Sequence, residues 1–396
     1  MFALFIALIF SAQAVVRASS SEDPNRAAST ISMSYRIANQ LTETLARTIY
    51  GSDDRVEAHR APRRWQELAS ATAVAMHRAT LPATFTATES VEIPGVSAGM
   101  RYGLCPGERF ADQRAPGICS GFLVAPDLLV TAGHCLSAAE ECGNEVWVFG
   151  YSADATGVVP ASLPGANFRT CRRVVRFDAK KDFALVQLDR PLADVRPLPV
   201  RRSGELSAWT PVGIIGNPLG LPTKVALGGI VRESAPGPHF IASLDSFVNN
   251  SGSAVINSTS LLVEGILIAG EQDLQYDPVA GCERTKVCED FGCAGEAVTR
   301  ITEIFELREG PTALAAARAG DAALVEHYLA QGGWPDLADE KQSTLLHEAL
   351  KSGDIRTVTA LIAAGADPER TNLAGVSPRQ LAQSDPAIAV MLLPLL

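Results

Sequence analysis

The chain has 396 residues, well over twice the length of an average single domain, so two or more domains are expected, each long enough to bury a core. Hydrophobic residues make up 47% and charged residues 20%, which excludes wholesale disorder, and 32 Gly with 24 Pro suit a loop-rich β fold. The net charge of −10 lacks the basic footprint of a nucleic-acid binder, so no nucleic acid is expected among the partners.

In chain order, Met1–Phe10 is wholly apolar and Ser11-Ala12-Gln13-Ala14 supplies an A-x-A-like cleavage signal. Such a run is too short to span a bilayer, which takes about 20 residues, so residues 1–14 are read as a signal peptide. No later run reaches 18 apolar residues, and no membrane span is expected after its removal. A secreted or periplasmic location follows, and with it disulfides for the 8 cysteines. Residues 15–48 are polar, rich in Ser, Arg and Ala, and read as a removable pro-segment or as a helix around Ser34–Tyr50.

Short apolar runs broken by Gly and Pro follow at Ala73–Met76, Gly121–Val124, Leu128–Ala132, Val146–Gly150, Ala184–Leu188, Val212–Ile215 and Leu261–Ile268. Their spacing predicts an all-β barrel or sandwich. Three polar motifs punctuate them. Thr131-Ala132-Gly133-His134-Cys135 closes a predicted hairpin, so His134 sits on the rim of a rigid sheet; Cys119 and Cys135 flank that hairpin and are placed to staple it. Asp182 opens the strand Phe183-Ala184-Leu185-Val186, where a buried carboxylate is costly unless paired, and an imidazole N–H is a suitable partner. Asn249-Asn250-Ser251-Gly252-Ser253 is a tight turn entering the strand Ala254–Ile256, able to aim two backbone N–H groups at one spot beside the Ser251 hydroxyl.

Cys282, Cys288 and Cys293 are spaced by six and five residues, which misses the C-x-x-C of zinc sites; disulfides are expected, with no metal and no other cofactor. From about Gly295 the period turns helical, with Val298, Ile301, Ile304 and Phe305 in step. After Pro311 a repeat of about 33 residues appears. Thr312-Ala313-Leu314 is echoed by Thr344-Leu345-Leu346-His347 and Ser377-Pro378, Gly320-Asp321 by Gly353-Asp354, and Gly332 by Gly365.

The His, Asp and Ser motifs, in that order, resemble the chymotrypsin-like (trypsin-fold) serine proteases. The N-S-G-S form and Ile49-Tyr50-Gly51-Ser52-Asp53-Asp54-Arg55 look like their V8-like, glutamyl-endopeptidase branch. The 33-residue repeat resembles ankyrin repeats, in which a histidine at the position of His347 is structural and ties one repeat to the next. The resemblances imply an all-β double barrel over residues 49–309, followed by a small α-helical ankyrin domain over residues 310–396. The implied activity is that of an exported serine endopeptidase acting on protein or peptide substrates through an acyl-enzyme. His134 would be general base and acid, Asp182 its orienting partner and Ser251 the nucleophile, with the N–H groups of Asn249 and Ser251 as the oxyanion hole. The tail would dock on a protein partner, a substrate or the protease domain, and removing everything after Pro311 is expected to spare hydrolysis of a small ester. A catalytically inactive binding protein on the same scaffold is the alternative.

Two positions depart from the family pattern. Asn249 stands where the family usually has Gly, at a peptide that needs φ above zero; Asn tolerates that region better than most residues. Asn250 replaces the Asp that pairs with a new N-terminus in trypsin-type zymogens, so that salt bridge is unavailable. Asp245 lies six residues before Ser251, where trypsin-like enzymes place the acid that selects Arg or Lys. It is a candidate for the specificity pocket or a structural acid bonded to nearby amides. The strand after the nucleophile, Gly265–Ile268, lacks the histidine that glutamate specificity looks for.

Overall fold

Short runs of β-branched, aromatic and aliphatic residues between turns close here into two six-stranded barrels. The computed structural model describes residues 49–136, 142–192, 194–270, 272–289 and 291–384, with 386 and 389. The leader, the polar segment and nearly all of the helix expected around Ser34–Tyr50 lie outside those residues. Ile49–Tyr50, the end of that expected helix, is a short strand paired in parallel with Val287–Cys288.

The first barrel comprises β1 (Thr72–His77), β2 (Cys119–Ala125), β3 (Leu128–Thr131), β4 (Glu145–Phe149), β5 (Phe168–Asp178) and β6 (Phe183–Leu188), closed in the order β6-β3-β2-β1-β4-β5. The second comprises β7 (Pro211–Gly216), β8 (Lys224–Glu233), β9 (His239–Ser243), β10 (Ala254–Asn257), β11 (Val263–Ala269) and β12 (Glu296–Arg300), in the order β7-β10-β11-β12-β9-β8 with β7 also paired to β8. A short strand at Val56–Glu57 extends β8. The expected apolar runs fall on β1–β4, β6, β7 and β11. Strands β5, β8, β9 and β12 had no such signal. The helical phase expected from about Gly295 is corrected: Glu296–Arg300 is the strand between β9 and β11, and Val298 faces the core of the second barrel. Buried Val298, Ile301 and Ile304 fall in helical step by coincidence, because five residues are too few to separate the two periods.

A short helix, α1 (Ala98–Tyr102), lies between β1 and β2; Ser97 caps it and Gly103 ends it in the left-handed region. The C-terminal helices are α2 (Phe305–Ala319), α3 (Ala322–Ala330), α4 (Leu345–Ser352), α5 (Ile355–Ala363) and α6 (Pro378–Ser384). Thus α3 and α5 begin 33 residues apart, as do α4 and α6. Asp321 caps α3 through the Leu324 N–H at 3.1 Å, and Asp354 caps α5 through the Thr357 N–H at 2.7 Å. His347 is fully buried: its Nδ1 accepts the Thr344 N–H at 3.1 Å while Nε2 bonds the Val376 carbonyl at 2.9 Å, joining the turn before α4 to the turn before α6.

The helices do not stand alone. One apolar cluster runs from Phe122, Leu129 and Leu185 in the first barrel to Val325, Leu345 and Leu361 in the helices. Arg176 of β5 reaches the fully buried Glu306 carboxylate and donates to the Gly332 carbonyl at 2.7 Å. Arg370 meets Asp127, in the β2–β3 turn, at 2.8 Å with both side chains buried; Asp127 also accepts from Gln187 of β6 at 2.9 Å. The tail thus packs directly on the first barrel. Stacking is therefore not all that holds this cysteine-free segment. All 8 cysteines are paired, as Cys105–Cys282, Cys119–Cys135, Cys142–Cys171 and Cys288–Cys293. Among the described residues no helix is long and apolar enough to cross a membrane.

Candidate active site

His134 sits in the single 3-10 turn that follows β3, stapled to β2 by the Cys119–Cys135 disulfide. Asp182 opens β6 with φ of 55°, and the pairing of Ala184 with Thr131 carries it to the same rim. Its Oδ1 accepts the His134 backbone N–H at 2.8 Å and its Oδ2 lies 2.8 Å from His134 Nδ1. A carboxylate facing Nδ1 favours the tautomer with the proton there, which leaves the Nε2 lone pair outward. Gly133 makes room for this contact, since a Cβ there would meet Asp182 Oδ1 at 3.0 Å. Asp178, the other acid nearby in sequence, caps the β5–β6 turn by accepting the N–H groups of Lys180 and Lys181, and its other oxygen lies 3.8 Å from Lys181 Nζ.

The turn before β10 brings Ser251 across from the second barrel. Its carbonyl accepts the Ser120 N–H of β2 at 2.7 Å and lies 3.6 Å from the sulfur of Cys135, the residue after His134. Gly252, at φ of 84°, permits the approach: a Cβ would stand 2.0 Å from the Ser120 carbonyl oxygen. Cys119, His134 and Cys135 offer ligand atoms within 4.8 Å of one another, but the two sulfurs are bonded to each other and supply no thiolate.

The turn is tied internally. Asn250 N–H donates to the Phe247 carbonyl at 3.0 Å, Ser253 N–H to that of Asn250 at 3.1 Å, and Gly252 N–H to that of Leu267 at 2.8 Å. The Asn250 side chain spans the turn, accepting from Ser253 Oγ at 2.8 Å and donating to Ser246 Oγ at 3.1 Å. Asn249 adopts φ of 69°, and its backbone N–H has no hydrogen-bond partner among the described residues.

Asp245 is 5% exposed and turns to the chain's N-terminal segment: Oδ1 accepts the Tyr50 N–H and Oδ2 the Asp54 N–H, each at 2.8 Å. Burial, with the Asp54 carboxyl beside it, pushes Asp245 up to about 8. It borders a cavity of about 340 Å³ shared with Tyr50, Asp54, Ser243 and Phe291. Glu264 is buried in an ion pair with Arg201. Tyr102 and Gly117, which hold the Asn249 side chain, carry no motif of their own in the sequence; an Asn in a glycine position is the one signal pointing to them.

Residues 119–264 match the family model of the trypsin-like peptidase domain. A curated relative, Protease Do-like 1, chloroplastic, of Arabidopsis thaliana, is 35% identical over 101 residues, which is 23% of this chain and 23% of that protein. The chain therefore spans under a quarter of that relative's length. Among solved structures, the serine endoprotease from Yersinia pestis is 16% identical with a TM-score of 0.32, covering 51% of this chain and 55% of that one, a likeness too low to bear on fold or function. The family match falls on strands of both barrels and, with the curated relative, supports a trypsin-fold serine protease domain.

Proposed function

We propose that the protein is an exported serine endopeptidase of the V8-like branch with an ankyrin-type tail. The observation that carries the reading is the Asp182 carboxylate, which holds both the backbone and the ring of His134 on the rim where the Ser251 turn arrives. A serine hydroxyl is a weak nucleophile until a base adjoins it, and His134 Nε2 is that base. Ser251 Oγ attacks the scissile carbonyl carbon and passes its proton to His134, and Asp182 stabilises the resulting imidazolium. The oxyanion is received by the N–H groups of Asn249 and Ser251, donors whose single loss costs about 3–4 kcal/mol in such sites. His134 then protonates the leaving amine, and water, activated by the same imidazole, releases the acyl group. The apolar leader and four disulfides support export. The 33-residue spacing of the helices supports ankyrin units. The two amides that occupy Asp245 favour a structural role for it over selection of Arg or Lys.

A fluorophosphonate probe tests the proposal. The wild-type protein should be labelled at neutral pH and the Ser251→Ala variant should not. An unlabelled wild type after N-terminal trimming, or labelling that survives in Ser251→Ala, would overturn it.

A further inference from the structure

Asn249 carries a side chain where a glycine would meet the backbone requirement alone, and both amide protons of that side chain are engaged. One amide proton of Nδ2 goes to Tyr102 Oη at 2.7 Å and the other to the Gly117 carbonyl at 3.0 Å. The Gly117 oxygen accepts only, which fixes the carboxamide's orientation. The Tyr102 hydroxyl in turn donates to the Leu219 carbonyl at 3.1 Å, and the Leu219 N–H donates to the Val248 carbonyl at 2.7 Å. Four residues thus close a ring around one peptide bond, Val248–Asn249.

That peptide is trans, so its N–H points opposite to its C=O. Holding the Val248 carbonyl on Leu219 directs the Asn249 N–H away from Leu219. The Val248 N–H is anchored as well, to the Asp273 carboxylate at 2.5 Å. Tyr102 itself is held from the opposite side: α1 is followed by Cys105, whose disulfide to Cys282 ties this segment to the hairpin of Leu274–Asp277 and Cys282–Thr285. Burial pushes the Tyr102 hydroxyl up to about 12, so it keeps the proton it donates.

We propose that the Asn249 carboxamide and the Tyr102 hydroxyl are positioning groups that lock the oxyanion-binding peptide in its working orientation. The proposal rests on the peptidase reading above. A glycine at 249 supplies the backbone angle without the tether, and a phenylalanine at 102 keeps the ring packing without the bridge. The clamp acts on an N–H whose bond to oxygen strengthens as charge develops, so it acts on kcat rather than on KM.

The test compares wild type, Asn249→Gly and Tyr102→Phe for kcat and KM on a peptide ester, for the rate of fluorophosphonate labelling, and for thermal melting. Loosening the donor without removing it should lower kcat about tenfold, short of the hundredfold or more seen when such a donor is deleted, with KM within about twofold. Labelling should slow in parallel, since the phosphonyl oxygen occupies the oxyanion position, and the melting temperatures should stay close to wild type. Tyr102→Phe carries the test if Asn249→Gly does not fold. A labelled wild type with Asn249→Gly as fast as itself, or Tyr102→Phe altering KM alone, overturns the clamp and leaves the peptidase reading standing. An unlabelled wild type overturns both.

Discussion

A buried carboxyl with a second carboxyl beside it resists losing its proton, even where backbone amides on its two oxygens pull the other way. Asp245 is that group, and its folded value near 8 stands above its ordinary 3.8. The sign follows from linkage: the folded state binds this proton more tightly, so the stabilisation is complete below about pH 4 and is lost as the pH rises through about 8. Melting temperatures should therefore fall from about pH 5 to about pH 9, and Asp245→Asn should flatten that slope; an unchanged slope in the variant would place its origin elsewhere. At this scale the sequence was readable wherever a motif is local. His134 and Asp182 each end or open an apolar strand, and strand pairing brings them together. Tyr102 was not readable, because its bond to Asn249 spans 147 residues and α1 carries no pattern of its own.

Among the elements, β5 shows why some strands were legible and others were not. It reads Phe-Arg-Thr-Cys-Arg-Arg-Val-Val-Arg-Phe-Asp, too polar for an apolar-run signal, yet it closes the first barrel between β4 and β6. Part of its outward face meets helices instead of water, and Arg176 there pairs with Glu306. The same contact surface contains the Arg370–Asp127 pair, with side chains 5% and 6% exposed. Removing one partner of a buried pair strands the other charge, at a cost of about 3–5 kcal/mol. Arg370→Met is expected to destabilise by that order in urea denaturation, and adding Asp127→Asn should restore most of it. Equal losses in Arg370→Met and the double variant would mean that the cost does not come from a stranded Asp127 charge. The opposite kind of misreading occurs at β12, where a short strand runs directly into helix-spaced apolar residues and the junction is hidden by continuity of burial.

For the whole molecule, the repeat pattern located the helices but not their dependence on the barrel. Repeats stack on neighbours, and here the first barrel is one of those neighbours. Truncation after Pro311 would uncover apolar side chains of the shared cluster, take Arg370 from Asp127 and remove the Gly332 carbonyl from Arg176. Small-ester hydrolysis and cooperative melting are thus expected to be lost together, in place of the independence that the repeat alone suggested; a truncated chain that melts and hydrolyses like the full one would refute this. The Arg370–Asp127 contact also has a meaning in time. Its partners are 243 residues apart, so at a synthesis rate of about 5–20 residues per second roughly 12–50 seconds separate their appearance. During that interval the β2–β3 turn holds a carboxylate whose guanidinium has not yet been made. A ribosome that stalls, or a protease that clips the chain early, leaves the turn in that state indefinitely. Until Arg370 emerges, the β2–β3 turn folds without the partner that later buries its charge.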